Sequence, residues 1–267
     1  MKNSLLLLLA FFQFLFLQAQ NLKIEYVITL NKNDVLGGGK QFYTLLVKNQ
    51  QSTYFNDPEK DLEGLKYKQN MFNKKIKPDG SISVSLSDNY TAVISKDNFY
   101  KNYEKDSLVY NDFFPPIKKV IVSEKISNLF AWKIIPKSDT NILNYKCQRA
   151  STEFRGRKYV AYFSQELGIM GGPWKFDGLP GVILYVYSED KYFIIEPQSI
   201  TKNAKIDDIF YSYSKDKVLS WEEFKKGFKD KMRKIGKVIQ AKMQVDVNAK
   251  ITDRIEDIQI EEMIFKK

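Results

Sequence analysis

The stretch Gly171-Gly172-Pro173-Trp174-Lys175-Phe176-Asp177-Gly178-Leu179-Pro180-Gly181 constrains this chain more than any other, because no regular helix or strand accommodates it. It packs four glycines and two prolines around two aromatic rings and runs straight into the apolar Val182-Ile183-Leu184. Glycine loses the most backbone freedom on folding and proline removes a donor, so such a segment is kept only where the fold needs its turns. Pro173 and Pro180 fix φ, while Gly172, Gly178 and Gly181 supply either a positive φ or room for close backbone approach. The alternation Trp174-Lys175-Phe176 predicts two rings plugged against one side of a sheet, with the Lys175 ammonium left in water. Gly178-Leu179-Pro180-Gly181 reads as a compact turn feeding a buried strand. The segment is either a structural clamp or a contact site that offers backbone amides over an aromatic floor. Its candidate binding residues are Gly172, Pro173, Trp174, Lys175, Phe176, Gly178, Leu179, Pro180 and Gly181.

Elsewhere the chain alternates as β-structure does. In Leu22–Leu30 every even position is apolar, the mark of a half-buried strand. Strands are also predicted over Gln41–Lys48, Ser81–Leu86, Thr91–Ile94, Ser107–Phe114, Val120–Ser123, Ala131–Ile135, Tyr145–Phe154, Arg157–Phe163, Gly181–Tyr187 and Lys191–Glu196. Arg155-Gly156 and Ser188-Glu189-Asp190 read as hairpin turns, Gly37-Gly38-Gly39 as a hairpin tip, and the Lys-rich Asn56–Lys77 as an excursion loop. Short turns between consecutive strands imply an antiparallel sheet.

One helix is well signalled. Ser220-Trp221-Glu222-Glu223 fits a capping box. From there Trp221, Phe224, Phe228, Met232, Ile235, Ile239 and Met243 form an apolar stripe, opposite a face rich in Lys and Arg. Such a helix either covers one face of the sheet or lies on an anionic membrane. The tail from Ile251 to Phe265 fits neither period.

Composition excludes several chemistries. The chain has no His, which removes Ser-His-Asp and Cys-His nucleophile activation and any His-ligated metal. Its single Cys, Cys147, allows no intramolecular disulfide and no thiolate cluster, and a lone Cys on a predicted strand suits a small buried hydrophobe. Asp177, Glu153 and Glu166 could supply an acid–base pair, but nothing in their spacing brings two together. No catalytic residue, metal site or cofactor is therefore expected. The net charge of +10 is spread along the chain without a nucleic-acid motif. No nucleic-acid partner is expected, and peripheral contact with an anionic membrane stays open.

Lys2, the apolar Leu5–Leu17 and the small Ala19 compose a secretory signal, too short in its apolar run to span a bilayer. Residues 1–19 are read as this signal and residues 20–267 as a single β-rich domain, exported to the periplasm or outer envelope.

Two blocks of the chain carry a resemblance. The first joins Trp132-Lys133-Ile134 to Asn144-Tyr145-Lys146-Cys147-Gln148-Arg149-Ala150 and Phe154-Arg155-Gly156-Arg157. The second is Gly172-Pro173-Trp174-Lys175-Phe176 followed by Gly178-Leu179-Pro180-Gly181. Together they resemble the GLPGLI family, envelope proteins with no assigned molecular activity; where that family has Leu-Ile after the last glycine, this chain has Val182-Ile183. The resemblance covers about Ala131 to Leu184 and implies an envelope location without implying a reaction. The fold expected is mainly β, a curved antiparallel sheet or half-barrel with a packed C-terminal amphipathic helix. The function expected is that of an exported, non-catalytic binding or envelope-assembly protein holding a lipid-like ligand or an envelope protein partner. The alternative is a secreted hydrolase using carboxylates.

Overall fold

The computed structural model describes residues 21–30, 40–56, 73–76, 82–85, 98–114, 118–209 and 217–243. The chain opens with a meander of β1 (Leu22–Leu30), β2 (Lys40–Lys48) and β3 (Gln51–Asn56). A small separate hairpin follows, β4 (Asn73–Ile76) with β5 (Ile82–Ser85), and then β6 (Asn98–Asn102), β7 (Ser107–Phe114) and β8 (Lys118–Glu124). A second meander comprises β9 (Lys133–Ile142), β10 (Tyr145–Phe154), β11 (Arg157–Ser164), β12 (Val182–Ser188) and β13 (Phe193–Lys202). The short β14 (Val218–Ser220) leads into the helix α1 (Trp221–Met243).

Twelve of these strands make one sheet in the order β14-β8-β7-β6-β3-β2-β1-β13-β12-β11-β10-β9. Every pairing is antiparallel except that of β14 with β8. The two meanders are sewn together where β1 pairs along its length with β13, from Leu22 opposite Lys202 to Leu30 opposite Phe193. β1 thus lies in the middle of the sheet, and its even positions Leu22, Ile24, Tyr26 and Ile28 are all buried, as the alternation predicts.

This sheet must curl. β8 and β9 stand ten strand spacings apart in the sheet order, roughly 48 Å if it were flat. The chain passes from Glu124 at the end of β8 to Lys133 at the start of β9 in nine residue steps, at most about 32 Å when fully extended. The connection therefore crosses the concave side, turning once through Ile126–Asn128. Its Phe130 ring lies 4.5 Å from Phe154 and 5.2 Å from Phe176 between centroids. Tyr26, Tyr54, Phe99, Tyr110, Tyr159 and Phe193 point into the same aromatic core.

Both edges of the sheet are blunted. β9 has Pro136 in its interior and exposed Lys133 and Lys137, features that oppose pairing with another strand. At the other edge β14 is three residues long and continues into α1. The capping box forms as read: the Ser220 N–H donates to Glu223 Oε2 at 2.9 Å, and the Glu223 N–H donates back to Ser220 Oγ at 3.2 Å. Phe224 is fully buried and Trp221 and Phe228 half-buried where the helix starts against the sheet near β7, β8 and β14. Among the described residues no helix is long and apolar enough to cross a membrane.

Several expectations needed correction. Asn56–Lys77 is not all loop, since β4 lies within it. β3, β6 and β14 were not anticipated, and β9 and β13 extend well beyond the predicted strands. Thr91–Ile94, Gly37–Gly39, the tail Ile251–Phe265 and residues 1–19, read above as a signal, lie outside the described residues.

Candidate functional site

The segment 171–181 packs into the hollow of the curled sheet, and its glycines are placed by contact rather than by habit. Gly171 O accepts from the Ile183 N–H at 2.8 Å, which seats the start of the segment beside β12. Gly181 does not adopt a positive φ. Its place is fixed by close approach, because a Cβ there would stand 2.3 Å from Ser164 O. Gly172 is similarly tight, with Phe176 O 2.6 Å from a would-be Cβ, while Gly178 does take a positive φ of 88°.

The inward-facing Lys101 of β6 holds the segment from beneath. Its Nζ donates to Gly172 O at 3.0 Å, to Phe176 O at 2.7 Å and to Asp177 Oδ2 at 2.9 Å. The ammonium has three protons and all three are engaged. Lys101 and Asp177 are 1% and 4% exposed, so this ion pair is removed from water. Tyr103 Oη donates to the same Asp177 oxygen at 3.0 Å and stands 3.1 Å from Ser52 Oγ. The Gly178 N–H donates to Asp177 Oδ1 at 2.8 Å, and Trp132 Nε1 donates to the Asp177 carbonyl at 2.7 Å. Burial lowers the Lys101 pKa, with the Asp177 charge opposing that shift. Burial, reinforced by Asp177, raises that of Tyr103 well above its usual value. This arrangement holds charge still and supplies no free base.

Lys175 overturns its sequence reading. Its ammonium is not in water but 3% exposed, 4.0 Å above the Tyr110 ring and 3.9 Å from Glu124 Oε1. Ammonium over an aromatic face is attracted by the ring quadrupole, most strongly when desolvated. Glu124 also accepts from Tyr110 Oη at 2.7 Å and from the Arg155 guanidinium, which sits 3.4 Å above the Trp221 ring. Here the β10–β11 turn, the end of β8, the first residue of α1 and the glycine-rich signature segment 171–181 meet. Arg155 has a φ of 49° and Gly156 of 78°, the twisted turn expected of this hairpin.

The predicted site residues therefore divide. Pro173, Lys175, Phe176 and Leu179 are buried with Gly172 and Gly181; Trp174 is half-buried against Phe99, Phe154 and Phe193; Gly178 and Pro180 reach the surface. The three candidate carboxylates do not behave alike, since Asp177 is buried against Lys101 while Glu153 and Glu166 are exposed. Glu166 accepts instead from the Lys146 N–H at 2.9 Å. Cys147 is buried as expected, its pKa pushed up to about 11 by burial. No cluster of three metal-ligating side chains occurs among the described residues. Sequence reasoning gave no role to Lys101, Tyr103 or Glu124. A signal for the first exists: Lys101 shares strand parity with Phe99 and so points inward.

Fold and site together define a mainly β protein built on a single open sheet with one packed helix among the described residues. It is similar to PNGF-II, solved in two crystal forms. One match has a TM-score of 0.50 at 15% identity over 80% of this chain and 34% of that one. The other has 0.51 at 16% identity over 81% and 33%. The chain spans about a third of the length of PNGF-II, and at such identities the likeness is one of fold alone. No protein-family model matches the sequence, and no curated protein is significantly similar to it.

Proposed function

We propose that this chain is an exported, non-catalytic binding or envelope-assembly protein of the GLPGLI type, and that it grips a protein partner with the rim of its signature. The supporting observation is the division within the segment. Lys175, Phe176, Asp177 and Leu179 are fixed inside the sheet, whereas Gly178, beside Trp132, and Pro180 stand exposed, and Ile134 on the β9 edge, two residues after Trp132, is 46% exposed. A turn held by Lys101 and Trp132 before a partner arrives loses little freedom on binding, which favours affinity. An acyl ligand inside the hollow is disfavoured, because Phe176 is buried there with Phe130 and Trp174 packed against the same core. A hydrolase using Asp177 is disfavoured too, since its carboxylate is committed to Lys101 and Tyr103.

The test places a photo-crosslinking residue at Pro180, with Glu189 on a different exposed turn as control, and follows adducts in cells. A discrete protein adduct from position 180 and not 189, on a chain whose mature end lies near Gln20, is the expected result. Retention of a stoichiometric acyl lipid in native mass spectrometry, without an adduct at 180, would replace the protein partner by a ligand.

A further inference from the structure

The signature does not use the outer face of α1, and that face has its own chemistry. Between Lys226 and Lys237 the helix carries six cations, Lys226, Lys229, Lys231, Arg233, Lys234 and Lys237, against the single carboxylate of Asp230. At 100° per residue, Lys226, Arg233, Lys234 and Lys237 fall within about 100° of one another, on the side away from Phe224, Phe228 and Met232. The four span about 17 Å along the axis at 1.5 Å per residue, and all are exposed.

The helix's acidic groups are satisfied locally. Glu223 is held in the capping box, Glu222 pairs with Lys225 at 2.7 Å, and Asp230 pairs with Arg233 at 3.6 Å. Lys226, Lys231, Lys234 and Lys237 form no ion pair among the described residues. Such a face answers a planar, negatively charged surface. The buried Phe224 and the half-buried Trp221 and Phe228 tie the start of the helix to the sheet, so that turn is not free to insert.

We infer that α1 docks this protein onto an anionic lipid bilayer by electrostatic contact of its Lys/Arg face with the head groups, without insertion of its first apolar turns. Juxtaposed cations near an anionic membrane each add favourable energy that decays within a Debye length, so the association is strong at low salt and lost at high salt. A duplex nucleic acid is the competing polyanion and is decided by the same experiment.

The experiment uses the full mature chain and sedimentation with phosphatidylcholine vesicles, with or without phosphatidylglycerol, across a salt series. The helix variant carries Lys226→Gln, Lys234→Gln and Lys237→Gln, which removes no ion pair among the described residues and exchanges residues of similar helix propensity. A matched variant changes Lys133, Lys158 and Lys205 to Gln, an equal loss of charge elsewhere on the surface. The expected result is salt-labile binding to the anionic vesicles only, weakened on the order of a hundredfold in the helix variant and little changed in the matched variant. Equal weakening in both variants, absence of binding to anionic vesicles, or binding that survives high salt would overturn the inference. Tighter association with a DNA duplex than with the vesicles would overturn it in favour of nucleic acid.

Discussion

Replacing Lys101 by Met tests whether the signature is held by a buried charge or merely packed. The substitution keeps most of the apolar stem but removes the ammonium, leaving Asp177 at 4% exposure without its cation and the carbonyls of Gly172 and Phe176 without that donor. Breaking one side of a buried ion pair costs about 3–5 kcal/mol, because the remaining charge is desolvated and unmatched. For a domain of this size that corresponds to a fall in Tm of roughly 6–20 °C. Equilibrium urea unfolding followed by tryptophan fluorescence measures it. The double variant Lys101→Met/Asp177→Leu, which removes both members of the pair, is expected to be more stable than the single variant at neutral pH. A loss below about 1 kcal/mol in the single variant, or a double variant no more stable than the single one, would refute the reasoning.

Three further outcomes follow from the same geometry. Gly181→Ala places a methyl 2.3 Å from Ser164 O and is expected to destabilise by about 1–3 kcal/mol, read by thermal unfolding, although the residue has an ordinary φ. Cys147, with its thiol moved from 9.0 to about 11, holds about a hundredfold less thiolate at pH 8 than an ordinary thiol; native protein is expected to resist a disulfide reagent that labels it promptly in denaturant. Arg155→Ala removes one partner of Glu124 and the cation 3.4 Å above Trp221, and is expected to release the start of α1, seen as a red shift of Trp fluorescence and faster amide exchange in its first turns.

Much of the sheet was legible because alternation is a local property. β7 and β10 begin and end where the pattern places them, and the helix start was written in the four residues from Ser220. β3 was missed because Asn49 and Gln50 make a left-handed turn, with φ of 48° and 60°, without a glycine to announce it. The wet reading of Lys175 failed for a different reason. Its aromatic and acidic neighbours, Tyr110 and Glu124, lie on β7 and β8, more than fifty positions earlier, and reach it only because the sheet curls. The Lys101–Asp177 pair was hidden for the same reason: each residue alone is an ordinary charged side chain, and only tertiary closure makes them partners.

The pairing of β1 with β13 carries a kinetic consequence. Leu22 finds its neighbour at Lys202 only after nearly the whole described chain has been made, so the most apolar strand of the first meander spends that interval with one side unpaired. Loop closure over such a span must precede the contacts that reward it, which places this topology among slow folders rather than fast ones. Until β13 arrives, the unpaired flank of β1 is a template for association with other chains, so refolding yield is expected to fall as protein concentration rises.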